Sequence, residues 1–250
     1  MKKLLFSTVI LISFKIAFSQ EKDSSTMKSV TPVSLKKKDW SKIDLSHRAN
    51  DHFMVQIGYA GWSGIPDTLS TASIPRSFNF YFLYDFPFKS DPRFSVGAGL
   101  GIGCANVFFK NQPAPVVATP RQDASGGNHF KKYKVVTTYL DIPLELRFAM
   151  DPENTNQSWK FALGTKLGLM LSEYAKGKNI QNGSGQTVDG SIYKVSGKSD
   201  FNTIRLAGTA RISKGPFGIY AQYQVTSLMK SSLGLPAVYP FEIGICFSGL

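Results

Sequence analysis

The sequence feature that most constrains the fold is a stretch in which glycine occupies nearly every second position. Between residues 95 and 103 the odd positions are serine or glycine, whereas the even positions from Phe94 to Cys104 are apolar. Alternation with a period of two predicts a β-strand that has one apolar face and one nearly bare face. Glycine weakens a strand because it costs conformational entropy and packs nothing. Such a strand suits a site where one face contacts lipid and the other lines a narrow, crowded barrel interior.

The same alternation recurs from residue 53 to the C-terminus. It predicts eight strands, at residues 53–60, 78–85, 94–104, 140–148, 159–169, 204–212, 217–225 and 239–247. The connections 87–92, 151–157 and 213–215 are short, whereas 106–132 and 172–200 are long. Within the long ones, 122–128 and 182–190 are rich in Gly, Ser and Asn, which is typical of flexible exposed loops. The pattern predicts an all-β fold, an eight-stranded antiparallel up-and-down transmembrane β-barrel with short periplasmic turns and long external loops.

Aromatic residues collect at the outward positions of the end that carries the short turns. The predicted periplasmic aromatic girdle consists of Phe53, Tyr84, Phe94, Phe148, Trp159, Phe217 and Phe247. Such a girdle is expected at a membrane interface. A soluble lipocalin-like barrel also alternates, but its apolar face points inward and its charged face outward. The girdle of aromatic residues on the outward face, together with the small or charged residues on the inward face of the strands, therefore favours the membrane barrel.

The N-terminus has the features of a secretory signal peptide over residues 1–19. A basic start at Lys2 and Lys3 precedes an apolar run, and Ala17 and Ser19 are the small residues before the expected cleavage site. We predict that residues 20–50 form a basic, Ser- and Lys-rich periplasmic linker and that 51–250 form the barrel domain in the outer membrane. No later segment approaches the roughly 20 apolar residues that a spanning helix needs, so membrane insertion requires a closed barrel.

Charge and cysteine usage restrict the partners. The formal net charge of +12 suits contact with anionic outer-membrane lipid or cell-wall polymers, whereas export disfavours nucleic acid.

Cys104 and Cys246 are predicted to face opposite sides of different strands, which argues against a disulfide. Neither belongs to a CxxC motif or a histidine cluster. We therefore predict no metal site and no cofactor.

Residues 139–148, which read YLDIPLELRF, carry the most distinctive local motif. This segment resembles the strand signature of the PorT-like outer-membrane β-barrel domain family, abundant in Bacteroidetes. The glycine-alternating third strand and the C-terminal FEIGICF are also similar to that family. The resemblance implies an eight-stranded, OmpA-like barrel in the outer membrane. Some members of the family serve type IX secretion, which makes a secretion-machinery partner one implication of the resemblance.

The inward strand faces carry the residues that we expect to fill the lumen. The predicted lumen polar network consists of Asp141, Glu145, Arg147, Lys160, Lys166, Arg205, Arg211 and Glu242. Bases and acids in a narrow interior should pair, because unpaired buried charge is costly. Gln56, Tyr81, Tyr220, Gln222 and Gln224 are candidates to complete the network. Bulky Arg or Tyr side chains are expected over the glycine face. An ion path is the competing interpretation, but an eight-stranded barrel is filled by side chains.

Catalysis is not predicted. A lipid-modifying barrel enzyme needs a nucleophile and a base within hydrogen-bond reach, and the first candidates are Ser125 and His129, which share one long connection. We therefore predict a non-enzymatic barrel with a structural, anchoring or partner-binding role, its partners being periplasmic or at the cell surface. The alternative is an accessory subunit of a type IX-like secretion system. A small-solute channel and a barrel enzyme are weaker alternatives.

Overall fold

The computed structural model describes residues 45, 53–65, 69–113, 127–155, 157–233 and 236–249. Every described residue belongs to one compact unit, Asp39–Leu250. The predicted signal peptide and, apart from Leu45, the predicted linker lie outside the described residues. Within the described ranges, no helix has the length and apolar character needed to cross a membrane.

Alternating sequence segments form long strands throughout the described part of the chain. The strands are β1 (Phe53–Ser63), β2 (Arg76–Pro87), β3 (Phe94–Phe109), β4 (Gln112–Pro113), β5 (His129–Ala149), β6 (Trp159–Gln181), β7 (Thr187–Val195), β8 (Ile204–Lys214), β9 (Phe217–Gln224) and β10 (Tyr239–Ser248). β4 and β7 are additions, which pair with the far ends of β5 and β6. The other eight strands make the wall of the barrel.

The wall closes on itself. Each of the eight strands pairs in antiparallel fashion with its neighbour in sequence, from β1–β2 through β9–β10. The last strand then pairs with the first, with Ile57 opposite Ile245. A closed ring leaves no unpaired strand edge. The prediction of an all-β, eight-stranded, up-and-down antiparallel barrel is confirmed.

The strands are strongly staggered around the ring. Cross-strand partners followed from Glu173 on β6 through Thr137, Ala105, Ser77, Gly58, Gly244, Tyr220 and Arg211 return to β6 at Ala162. One circuit of the ring therefore ends further along β6, at Ala162 instead of Glu173, and tilted strands in a small barrel produce such a displacement. The inward side chains of neighbouring strands therefore interdigitate and can fill the interior.

Short turns join the strands at one end, which we call the short-turn end. In the turn between β2 and β3, the Arg93 guanidinium donates to the Asp91 carboxylate at 2.6 Å, and the Phe94 amide donates to the Asp91 carbonyl. Hydrogen bonds from Arg93 lower the pKa of Asp91. The opposite end carries the longer connections and is called the long-loop end.

The long-loop end has more β-structure than the sequence indicated. The predicted long connections 106–132 and 172–200 are partly strand, because β3 runs to Phe109, β5 begins at His129 and β6 continues to Gln181. The prediction of a loop at 182–190 is wrong for residues 187–190, which belong to β7, whereas residues 182–186 do connect β6 to β7. The Asn182 side-chain oxygen accepts from the Ser184 and Gln186 amides at 3.1 and 2.9 Å, which fixes a tight turn between β6 and β7. Of the other predicted loop, 122–126 lie outside the described residues.

We call the protruding β-structure at this end the extension: residues 129–137 of β5, 172–181 of β6, and β7. Thr137 pairs with Glu173, and β7 pairs with β6 from Ala175 onward. A register shift between Thr138 and Tyr139 separates the extension from the barrel wall. The extension is therefore a continuation of the wall rather than a separate domain.

Candidate functional site in the barrel lumen

The lumen nearest the short-turn end is filled by polar side chains from all eight wall strands. The strand alternation turns every second residue inward. Of the predicted lumen residues, Asp141, Glu145, Arg147, Lys166, Arg205, Arg211 and Glu242 are buried, and Lys160 is half-buried at the rim. The structure thus brings residues that are distant in sequence into one interior.

An ion pair between Asp141 and Arg205 forms the centre of this interior. Arg205 Nε and Nη2 donate to Asp141 Oδ1 at 3.1 and 3.0 Å, and Nη2 also donates to Oδ2 at 2.7 Å. The Tyr81 hydroxyl donates to Asp141 Oδ2 at 3.1 Å, and the Arg205 guanidinium stacks 3.9 Å from the centre of the Tyr139 ring. A bidentate pair with these further contacts has most of its hydrogen-bonding capacity satisfied.

Lys166 links this ion pair to a second acid. Lys166 Nζ donates to the Tyr81 hydroxyl and to Gln222 Oε1, both at 2.5 Å. Gln222 Nε2 donates to Glu242 Oε1 at 3.2 Å, and Asn79 Nδ2 donates to Glu242 Oε2 at 2.9 Å. The lysine is therefore held by the oxygen atoms of two neutral side chains, each of which also donates a hydrogen bond to a carboxylate. Such a chain of polar contacts fixes each side chain in one orientation.

A second cluster lies between this network and the short-turn end. Glu145 Oε2 accepts from Arg147 Nε at 3.0 Å and from Arg211 Nη2 at 2.8 Å. Arg147 Nη1 also contacts Asp85 Oδ1 at 3.4 Å, and Arg211 Nη1 donates to the Ser248 hydroxyl at 3.3 Å. Two arginines thus share two carboxylates. Buried charges arranged in this way are compensated by their neighbours.

Lys160 borders a small cavity beside the second cluster. Asp85, Arg147 and Arg211 also line this cavity, whose volume is about 20 Å³. That space suits about one water molecule. The cavity is therefore a gap in the packing and not a wide passage.

Several members of the network were missed or misjudged from the sequence. Asp85 lies at an inward position in the alternation of β2, but the sequence prediction of the network does not include it. Asn79 also donates to Gln56 at 3.3 Å, which extends the network to β1. Gln224, a candidate member, donates instead to the backbone carbonyl of Thr226 at 3.0 Å. Strand phase was the available signal for Asp85 and Asn79, whereas the local contact of Gln224 depends on the turn that follows β9.

Glycine makes room for the bulky members of the network. A Cβ added at Gly103 would lie 2.7 Å from Asn79 Oδ1 and 2.8 Å from Asp141 Oδ2, and one added at Gly97 would lie 2.5 Å from Arg147 Nε. These distances are shorter than a carbon atom tolerates. The bare face of β3 is therefore occupied by side chains from β2 and β5.

Replacing Gly103 with valine is expected to destabilise the barrel by about 1–3 kcal/mol, because added atoms in a filled interior force their neighbours to move. Gly208→Val is the matched control, since a Cβ at Gly208 meets nothing within 4 Å. Urea unfolding in detergent micelles, followed by far-UV circular dichroism, measures both variants. Equal unfolding midpoints for the two would contradict the close packing described for Gly103.

Apolar side chains fill the lumen at the long-loop end. We call this cluster the apolar plug; it consists of Trp62, Val107, Phe109, Phe130, Tyr133, Val135, Tyr139, Met170, Ala175, Phe201, Leu228, Met229 and Val238. Phe109 packs against Trp62 and Tyr133, with ring centres 5.2 and 6.3 Å apart. Phe201, Leu228, Met229 and Val238 come from connections between strands rather than from the wall. The interior thus has a polar layer and an apolar layer, and both are filled.

The predicted aromatic girdle lies on the outer face at the short-turn end. Phe53, Tyr84, Phe94, Trp159 and Phe217 are exposed, whereas Phe148 and Phe247 are half-buried. Cross-strand contacts join Phe94 to Phe148 and Phe217 to Phe247, with ring centres 5.0 and 5.3 Å apart. The sequence interpretation did not include Phe82, Phe86 and Phe161, whose rings contact members of the girdle.

The sulfur- and histidine-bearing residues are the remaining candidates for chemistry among the described residues. Within those ranges, no group of three His, Cys, Asp or Glu side chains could hold a metal ion. Cys104 and Cys246 are both free thiols. His129 begins β5 and pairs with Gln181, whereas Ser125 lies outside the described residues. The organised polar groups of the lumen serve to bind one another.

Comparisons with known proteins give one matching family and several similar solved structures. The family model described as outer membrane protein beta-barrel domain matches residues 57–232. Among solved structures, the chain is similar to Ail, the attachment invasion locus protein of Yersinia pestis, with 18% identity, a TM-score of 0.32, and coverage of 78% of this chain and 97% of that one. It is also similar to Neisserial surface protein A, with 14% identity, a TM-score of 0.35, and coverage of 78% and 96%. No curated protein matches the chain.

Proposed function

Because the chain belongs to the outer membrane protein beta-barrel domain family, we propose that it is a non-enzymatic outer-membrane barrel with an anchoring and partner-binding role. The wall inserts in the lipid, the filled interior makes the barrel rigid, and the extension presents a surface to partners. The observation that carries this proposal is the filling of the lumen by the polar network and the apolar plug, which leaves beside the second cluster a gap of about one water molecule. A filled barrel holds surface elements in place but does not conduct.

The outer surface of the wall supports insertion in a bilayer. Large apolar side chains on the outward positions are about half exposed, including Ile142, Leu144 and Leu146 on β5 and Leu167 and Leu169 on β6. An apolar patch of this extent on a soluble monomer would be an aggregation hazard. It is expected on a barrel whose outer face contacts hydrocarbon. We assign delivery to the membrane to the predicted signal peptide at residues 1–19.

The extension supports a partner-binding role. It continues the β-structure of the wall beyond the last exposed leucine of β6, Leu171. Phe130 and Ala175 of the extension belong to the apolar plug, which fixes it to the barrel interior. A rigid, protruding surface on a membrane barrel suits recognition of other molecules, since binding residues are commonly placed on elements that a rigid scaffold positions. The short-turn end, with the predicted linker, would face the periplasm.

The filled lumen leads to an expected result in conductance measurements. The purified full-length protein, inserted into planar lipid bilayers, is expected to produce no discrete channel openings, because side chains occupy both layers of the lumen. Slower migration of the boiled sample than of the unheated sample in SDS gels verifies that the inserted protein is folded. Reproducible single-channel steps from the folded protein would refute the proposal and would favour a small-solute channel.

A secretion role is the second candidate, and it rests on the resemblance of residues 139–148 to the PorT-like strand signature. A deletion strain tests it, by comparison of extracellular proteins with the parent while outer-membrane integrity is monitored. Selective loss of secreted cargo would assign the barrel to a secretion machine. Normal secretion would support the anchoring role and direct attention to partners of the extension and of the predicted linker.

A further inference from the structure

Five lysines lie together on the outward face of the extension. We call them the lysine ladder: Lys132, Lys134, Lys176, Lys178 and Lys194. In the sheet register, Lys132 lies opposite Lys178, Lys134 lies opposite Lys176, and Lys176 lies opposite Lys194. Directly opposed side chains on one face of an antiparallel sheet have Cβ atoms roughly 4.5–5.5 Å apart. Three adjacent strands thus place their positive charges side by side.

This arrangement is unfavourable for an isolated protein. Like charges directly opposite one another destabilise a sheet. Lys134 Nζ donates to Asn106 Oδ1 at 2.9 Å, and Lys194 Nζ lies 4.1 Å from the centre of the Tyr174 ring. These contacts do not neutralise charge, and no ladder lysine forms an ion pair with a carboxylate in the part of the chain that the structure describes. An external anion would relieve the repulsion.

The position of the ladder indicates which anion it meets. On β6 the outward face carries the exposed Leu167, Leu169 and Leu171, then the half-buried Tyr174, and then Lys176 and Lys178. With a rise of about 3.3 Å per residue and a tilt of about 40°, Lys176 lies about 12 Å above Leu171 along the barrel axis. Tyrosine and then lysine beyond an apolar band is the order expected at a membrane interface. The ladder therefore faces sideways, toward the headgroup layer.

We propose that the lysine ladder binds the phosphate groups of lipid headgroups in the outer leaflet. This inference rests on the proposed outer-membrane location. It deepens the anchoring role, because bound headgroups would fix the depth of the barrel and the orientation of the extension. Lysine suits this task as a mobile point charge that meets phosphate oxygens without a fixed geometry. Phosphate-bearing lipid is favoured over a soluble polyanion because the ladder continues the lipid-facing surface of the wall.

Spin-labelled lipids test the inference. The full-length chain is reconstituted in phosphatidylcholine vesicles, and electron spin resonance measures how strongly labelled phosphatidic acid associates with it relative to labelled phosphatidylcholine. We expect the wild-type protein to prefer phosphatidic acid several-fold and the preference to fall as salt is raised. The triple variant Lys132→Gln, Lys178→Gln and Lys194→Gln is expected to remove nearly all of this preference, because each lysine near an anionic surface contributes roughly fivefold.

A second triple variant controls for total charge. Lys110→Gln, Lys198→Gln and Lys230→Gln removes the same charge from the long-loop end outside the ladder and is expected to retain the preference. Equal losses in the two triples, or no preference in the wild type, would overturn the inference. Binding of soluble heparin that the ladder triple abolishes, without any lipid preference, would likewise overturn it and assign the ladder to a soluble polyanion. Conductance recorded from the same preparations tests the proposed function separately.

Discussion

Replacing Asp141 with asparagine is expected to destabilise the folded barrel by about 3–5 kcal/mol, the cost of leaving a buried charge without its partner. Asp141 is fully buried and binds Arg205 through both carboxylate oxygens. Asparagine keeps the shape of the side chain but removes its charge, so the Arg205 guanidinium stays in the lumen uncompensated. Urea unfolding in detergent micelles, followed by far-UV circular dichroism, measures the loss.

The double variant Asp141→Asn with Arg205→Met separates charge from packing. Removing both charges is expected to restore part of the lost stability, because an apolar replacement of a buried ion pair is often tolerated. Asp91→Asn is the surface control, since Asp91 and its partner Arg93 lie half-exposed in a turn, and it is expected to change stability far less than Asp141→Asn does. An Asp141→Asn variant as stable as the wild type would show that the ion pair does not organise the lumen.

Replacing Phe109 with alanine is expected to destabilise the apolar plug by about 3–5 kcal/mol, through lost burial and the cavity that remains. Phe109 is 1% exposed and packs between Trp62 and Tyr133. The extension depends on the plug, so its local opening should become more frequent. Limited trypsin digestion of intact vesicles measures that opening, because trypsin cleaves after the lysines of the ladder. Cleavage in the extension is expected to accelerate while the barrel wall remains protected.

Phe86→Ala is the matched control for this experiment. Phe86 is exposed on the outer face at the opposite end of the barrel, so its removal should leave digestion of the extension unchanged. Faster digestion of the wall together with the extension in Phe109→Ala would indicate that the plug stabilises the whole barrel. Unchanged digestion of both would contradict a plug that holds the extension.

Period-two alternation was sufficient to predict the barrel wall. It located all eight wall strands, because each must place apolar residues toward lipid and small or polar residues toward the lumen. It also assigned Asp141 and Arg205 to the interior, although they lie on β5 and β8. Which charges pair could not be predicted, since pairing depends on the stagger between strands. That stagger is a property of the closed ring and not of any one segment.

The apolar plug and the extension were not predictable in the same way. Phe201, Leu228 and Met229 lie in connections, where isolated apolar residues have no period that would distinguish a buried position from an exposed one. The composition of residues 182–190, rich in Gly, Ser and Asn, indicates a loop, because these residues are frequent in turns. The extension forms because β6 continues past the wall and supplies a partner for β7. Tertiary pairing therefore decided what local composition could not.

The pairing of β1 with β10 tests the central claim most directly, because only this pair joins the two ends of the barrel domain and closes the ring. Nuclear Overhauser effects between backbone amide protons, measured on the labelled protein in detergent micelles, report that pairing. The closed barrel predicts cross-strand effects at antiparallel positions around Ile57 and Ile245, with slow amide exchange on both strands. Absence of these effects, with β1 amides that exchange as fast as an open edge, would contradict a closed, filled barrel.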